Sequence, residues 1–229
     1  MPEAVRRLEA KERPRKYKFG LMLVKEGQTQ EEDIFSNTGG SVDWYEFLNF
    51  IGEKVRLKGW NRFAGGLDVK TDTTGEFSRF TEWQGSEIMW HVATMLPQGE
   101  GAQQIARKRH IGNDICILVF LDGKDASYSA NTIRSHFIHN VITIRRIPSD
   151  SLEDDASQTR YHDVPVFGPP LPKPAVFRKD DSFKDFLLAK MVNAELAAYR
   201  TVYFSKRLRL GRRALLDELV SDFFPLTGE

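Results

Sequence analysis

The chain has 229 residues, 41% of them apolar and 28% charged, with a formal net charge of +1; that suits one large domain and leaves no global field to draw it onto nucleic acid or acidic lipid. No eighteen apolar residues run together and the charged segment Met1 to Arg15 lacks the apolar region of a signal peptide, so a cytoplasmic protein with no integral membrane segment is expected. A single cysteine, Cys116, leaves no partner for an internal disulfide.

Residues 3 to 12 have helical character but only Ala4, Val5, Leu8 and Ala10 as apolar content, so 1–16 reads as a linker or truncated helix and 17–229 as the folded domain. Tyr17 to Val24 (YKFGLMLV) predicts a first strand, turned at Gly27. Thr29-Gln30-Glu31-Glu32 has the form of a capping box opening a short helix, with the acids Glu31 to Asp33 favoured at its N-terminus. Ser41 opens a second helix, on which Trp44, Phe47, Leu48, Ile51 and Val55 recur at helical spacing. Between Trp60 and Leu96 the pattern becomes glycine-punctuated β, with a hairpin whose arms are Phe77 to Trp83 and Glu87 to Leu96 around Gln84-Gly85-Ser86. His91, in the second arm, reads as a satisfied or half-exposed strand histidine.

Ala102 to Gly112 predicts a helix leading into Ile115 to Phe120, a short β-branched run suited to a strand buried on both faces. Ser129 is placed to cap another short helix, and His136 to Ile147 predicts a strand. His136 and His139, three apart on it, would face opposite ways, so no shared metal is expected. Pro148 to Pro174 is rich in acid, serine and proline; Pro169 and Pro172 formally make a P-x-x-P ligand, which reads as a rigid connector. From Ser182, Phe183, Phe186, Leu187, Met191, Ala194, Ala198 and Val202 trace one helical stripe ahead of the basic tract Lys206 to Arg213 and a last amphipathic turn, Leu215 to Phe224. The fold class is α/β: a central mixed β-sheet flanked by helices, with a long C-terminal helix.

The stretch that gathers polar chemistry is Arg107-Lys108-Arg109-His110-Ile111-Gly112-Asn113-Asp114, which runs into the buried strand. Taken alone it is a helix C-terminus with basic residues complementing the dipole and a glycine stop. As the lip of a core strand in an open α/β sheet, it is also where sites tend to form. The chain has no G-x-x-x-x-G-K-[S/T] loop, no G-x-G-x-x-G, no H-E-x-x-H, no C-x-x-C pair and no G-x-S-x-G. Any chemistry must be done by ordinary polar side chains on something another molecule brings.

Lys18-Phe19-Gly20, Glu26-Gly27-Gln28-Thr29, Gly65-Gly66-Leu67-Asp68, Thr73-Thr74-Gly75, Glu87-Ile88-Met89, Arg107 to Asp114, Phe167 to Pro172 and Ala175-Val176-Phe177-Arg178 together resemble the catalytic domain of the Rap GTPase-activating proteins, the RapGAP family, which is related to the GAP domain of tuberin. The likeness runs from about Tyr17 to Val220, and RKRHIGND is its most specific part. It implies a domain that engages the small GTPase Rap in its GTP form and accelerates hydrolysis, with GTP and magnesium carried by the GTPase and no cofactor or metal held by the chain itself. Rap lacks the glutamine that most Ras-like GTPases use to orient water, and the family supplies an asparagine carboxamide, the Asn thumb. Matched residue by residue, that thumb is Asn113. The same match makes His110 a second catalytic position, for docking or for orienting the thumb, and makes Arg107, Lys108, Arg109 and Asp114 contacts to the GTPase. A non-catalytic Rap-binding scaffold and a GAP for Rheb are the alternatives.

Two departures from the family pattern stand out. Pro148 to His162 is short and acidic, with no apolar run where the family has a further strand, so a missing strand or a rearranged pairing is expected there. Only about sixteen residues precede the first strand, without the dimerisation region that some family members carry, so a monomer is the expectation for this chain; the resemblance implies a cytoplasmic protein recruited to membranes where Rap resides.

Overall fold

The computed structural model describes residues 15–97, 102–147, 153–160 and 163–223; nearly all of the expected linker over 1–16 lies outside them. Its strands are β1 (Lys16–Lys25), β2 (Glu53–Arg56), β3 (Phe77–Trp83), β4 (Ser86–Val92), β5 (Cys116–Asp122), β6 (Asn140–Arg146), β7 (Glu153–Arg160) and β8 (Val176–Arg178). Its helices are α1 (Glu31–Phe35), α2 (Val42–Ile51), α3 (Ala102–Ile111), α4 (Asp181–Ala198) and α5 (Val202–Phe223). The strands form one sheet in the order β2-β3-β4-β1-β5-β6-β7-β8. The middle is parallel, β1 pairing with β4 and β5, and β5 with β6; both flanks are antiparallel. The expected mixed α/β sheet is therefore present.

Alternation along the central strands divides the core into two layers. Phe19, Leu21 and Leu23 of β1 join Cys116, Leu118 and Phe120 of β5 against α2 and α4, through Trp44, Phe47, Phe183 and Leu187. Met22 and Val24 join Ile117, Val119 and Leu121 on the other face, against α1 and α3, through Ile34, Phe35 and Ile111. Both strands are thus buried on both faces, as the apolar run around Leu118 predicts. Among the described residues no helix is long and apolar enough to cross a membrane.

Several local expectations need correction. The Thr29 capping box does not form: Gln30 occupies the N-cap of α1, without a side-chain bond. Ser41 does cap α2, its hydroxyl accepting from the Trp44 amide, but the helix stops at Gly52 and Val55 belongs to β2. The hairpin is tighter than expected: Trp83 pairs with Ser86 around Gln84-Gly85, both at positive φ (47° and 73°), a two-residue turn matched to strand twist. Ser129 opens a turn, with the Thr132 amide on its carbonyl, instead of a helix. His136 and His139 precede β6; the His139 ring packs 4.8 Å from Phe204 of α5. The single C-terminal helix is two, broken at Tyr199 to Thr201, and the basic tract lies within α5.

The largest correction concerns the acidic segment. Glu153–Arg160 is a strand, β7, paired antiparallel along the whole of β6 and holding β8 on its outer side. A ladder needs backbone partners more than an apolar run; Ala156 of this stretch joins the core. The proline segment that follows is a strap on α4. The Lys190 Nζ donates to the Pro169 carbonyl at 2.8 Å and the Asn193 amide to that of Gly168 at 3.1 Å, in keeping with a connector.

Beneath the sheet, α4 buries Glu195, whose Oε1 accepts from the Tyr199 hydroxyl at 2.5 Å. Burial, opposed by that hydrogen bond, pushes its carboxyl from 4.5 up to about 7. The folded chain then holds a proton that an unfolded chain releases near 4.5, so stability falls as pH rises from about 4.5 to about 7 and levels off above. Urea melts across that interval are expected to show a loss on the order of 3 kcal/mol that Glu195→Gln removes; an equal loss in the variant would assign the slope to another group.

Candidate functional site

The basic helix α3 ends abruptly. The Gly112 amide reaches back to the Lys108 carbonyl at 2.6 Å, and a Cβ on Gly112 would lie 2.6 Å from that same oxygen. Glycine is needed here for close approach, since its φ is not positive. The winding continues through Asn113, whose amide donates to the His110 carbonyl at 3.2 Å, and Asp114, whose amide donates to that of Ile111 at 3.1 Å. Asn113 is exposed, and among the described residues no hydrogen bond engages its carboxamide.

Asp114, the next residue, is fully buried. A buried carboxylate is tolerable only when paired and hydrogen-bonded, and both of its oxygens are. Lys18 Nζ donates to Oδ1 at 2.9 Å and also to the Asn113 carbonyl at 2.9 Å. His91 Nδ1 lies 2.9 Å from Oδ2, and His91 Nε2 lies 3.0 Å from the Gly65 carbonyl. The Asp114 carboxylate and the Gly65 carbonyl are both acceptors, so each ring nitrogen faces an acceptor. Gly20 makes room for this arrangement. It pairs with His91 across β1 and β4, and a Cβ on it would lie 2.8 Å from Ile117 Cγ2 and 3.2 Å from Asp114 Oδ2.

The loop that supplies Gly65 is itself tied. The Asp68 carboxylate accepts from the amides of Lys70, Thr71 and Thr73 and from the hydroxyls of Thr71 and Thr73. The Thr71 hydroxyl first, then these other donors, hold its carboxyl far below the usual range. The blocks around Lys18, Gly65, Thr73 and Arg107, far apart in the chain, thus converge on one turn.

The remaining basic residues separate by environment. Arg107 is buried; its guanidinium donates to the carbonyls of Leu96, Pro97, Phe35 and Asn37. Expected as contacts to a partner, Arg107 and Asp114 are both buried in the free domain, bonded to its own groups. Lys108 is half-exposed and paired with Glu31 Oε1 at 2.5 Å, on the wall of a polar groove shared with Thr29, Ser129 and Arg134. Arg109 is exposed. The His110 ring, half-buried, meets the His91 ring edge-on at 5.5 Å; burial first, and the neighbouring His91 next, lower its pKa and favour a neutral imidazole. The turn lies at the amino-terminal ends of β1 and β5, opposite the carboxyl-end crevice usual for open α/β sheets.

With this geometry in view, a family model described as Rap/ran-GAP matches residues 34–213. The chain belongs to the Rap/ran-GAP family. It is 42% identical over 224 residues to the GTPase-activating Rap/Ran-GAP domain-like protein 3 of Gallus gallus, across 95% of this chain and 24% of that protein. It is 43% identical over 211 residues to the signal-induced proliferation-associated 1-like protein 3 of Homo sapiens, across 91% of this chain and 12% of that protein. The chain therefore spans a quarter or less of these relatives. A solved structure of the TSC2 GAP domain superposes with a TM-score of 0.70 at 29% identity, covering 80% of this chain and 96% of that one.

In this Rap/ran-GAP domain, the residues that sequence reasoning missed are the supports: Lys18, Gly20, Gly65 and His91. Lys18 and Gly20 fall on the same face of β1 by parity, but nothing in the sequence says that Asp114 fills the gap between them. Arg107 gives a direct test of its interior placement. Arg107→Lys keeps the charge and cannot reproduce the fork to four carbonyls, so urea unfolding should show a loss of about 2 to 4 kcal/mol. A loss within about 0.5 kcal/mol, the usual range for a surface change, would contradict it.

Proposed function

We propose that this domain is a GTPase-activating protein for Rap in its GTP-bound form, acting in the cytoplasm or on membranes where Rap resides. It holds no nucleotide, metal or cofactor of its own; GTP and magnesium come with the GTPase. The observation that carries the reading is the carboxamide of Asn113, without a hydrogen-bond partner among the described residues and exposed on a turn whose next residue is locked into the interior by Lys18 and His91. Family membership and relatives described as GTPase-activating support it.

The chemistry suits the residue. A carboxamide has an acceptor and two donors, so it can receive a hydrogen from the attacking water while donating to a phosphate oxygen. An aspartate could only accept and would repel the phosphates. Phosphoryl transfer from GTP relies on positioning and charge stabilisation, and a turn already fixed by the fold has little freedom left to lose on docking. His110, neutral and set against His91, orients the thumb from one turn earlier. Arg109 and Lys108 are the cations available to the GTPase.

GTP hydrolysis by purified Rap, with and without the domain, tests the reading, with Rheb run in parallel. Rap hydrolysis is expected to accelerate, and Asn113→Ala to lose at least about 10²-fold of that acceleration while still binding Rap·GTP. Undiminished acceleration by the variant removes the thumb assignment; a folded wild type that binds Rap without accelerating hydrolysis makes the domain a scaffold, and acceleration of Rheb alone changes the partner.

A further inference from the structure

His91 lies outside the basic stretch, and as a lone strand histidine it reads as a bystander. The structure gives it a different position. It is 1% exposed, and its two nitrogens join segments that the chain keeps far apart: Nδ1 meets Asp114, the residue after Asn113, and Nε2 meets the carbonyl of Gly65. Its ring supports the edge of His110, whose carbonyl receives the Asn113 amide. Asp114, which follows the exposed carboxamide, and His110, which accepts its backbone amide, therefore both bear on one imidazole. The Gly65 end is firm, because Asp68 ties the loop from 68 to 73 into a knot. Lys18, by contrast, is 37% exposed at its side chain and holds Oδ1 of Asp114. Of the two partners of Asp114, His91 is the one that water does not reach.

We infer that His91 is a positioning residue for Asn113, fixing the direction of the carboxamide through Asp114 and His110, and that it links the Gly65 to Gly75 loop to the thumb. The inference rests on the proposed GTPase-activating role and adds to it a residue that touches neither the GTPase nor its nucleotide. Its effect falls on the rate at saturation and leaves affinity for the partner alone, because the surface cations Lys108 and Arg109 are not in contact with it. The two nitrogens have separable mimics. The Nδ2 of an asparagine falls near the position of Nδ1 and can donate to Asp114, while the amide nitrogen of a glutamine reaches that of Nε2 and can donate to Gly65.

The experiment compares His91→Ala, His91→Asn and His91→Gln in saturating and subsaturating Rap·GTP hydrolysis, with hydrogen exchange at the Asn113 and Asp114 amides measured in parallel on the free domain. Thermal melts confirm that each variant folds. The alanine and glutamine variants are expected to lose at least about tenfold in kcat with KM within about threefold, and to exchange faster at both amides; the asparagine variant should keep kcat within about threefold and retain slow exchange. Rescue by glutamine and not by asparagine would assign His91 to the loop alone and overturn the inference, as would equal kcat in all three. If the wild type fails to accelerate hydrolysis at all, the functional reading fails; the exchange pattern then still decides whether His91 holds the turn.

Discussion

A carboxylate sealed from water is costly to hold unless it is paired and hydrogen-bonded, and each oxygen of Asp114 has a partner, Lys18 from β1 on one and His91 from β4 on the other. Nearly everything else about the site follows from satisfying it. Gly20 has no side chain because Asp114 needs the space. Gly112 has none because the helix must close on Lys108 before the chain can turn inward. Lys18 is shared between Asp114 and the carbonyl of Asn113, so the interaction that neutralises the buried charge also fixes the residue beside it. Asn113 is left pointing outward on a turn with no slack.

The sheet makes that turn stiff. β1 lies at its centre, parallel to β4 on one side and β5 on the other, and both faces of β1 and β5 are packed by helices. Lys18, His91 and Asp114 therefore stand on three adjacent strands or their lips. Arg107 secures the opposite side of α3 by gathering carbonyls from the α1 end and from the loop after β4. The basic stretch is thus two things at once, an interior brace at Arg107 and Asp114 and an outward surface at Lys108, Arg109 and Asn113.

Much of the architecture was legible in the residues. The continuous apolar run of β5, the helical stripe of Trp44 to Ile51 and the turn at Gln84-Gly85 are local signals, and local signals were enough. Glu153 to Arg160 was not legible, because its pairing with β6 and β8 runs through the backbone and its sequence lacks the apolar pattern by which strands are recognised. The break after Ala198 was hidden because the apolar stripe carries through to Val202. For the site, the position of Asn113 came from the family resemblance, and its exposure could not have come from spacing, since a capped helix end has the same sequence. The interior roles of Arg107 and Asp114 and the place of His91 depend on contacts such as Arg107 to Phe35, Asp114 to Lys18 and His91 to Asp114, 72, 96 and 23 residues apart, which no local window along the chain contains.

On the proposed function, the buried Asp114 acts on GTP hydrolysis only by holding Asn113. A double-mutant cycle on kcat with saturating Rap·GTP tests it most directly, combining the near-isosteric Asp114→Asn with Asn113→Ala. Asp114→Asn should slow the reaction when Asn113 is present and cost nothing further when it is absent. Independent, multiplying losses would contradict this and give Asp114 a role of its own.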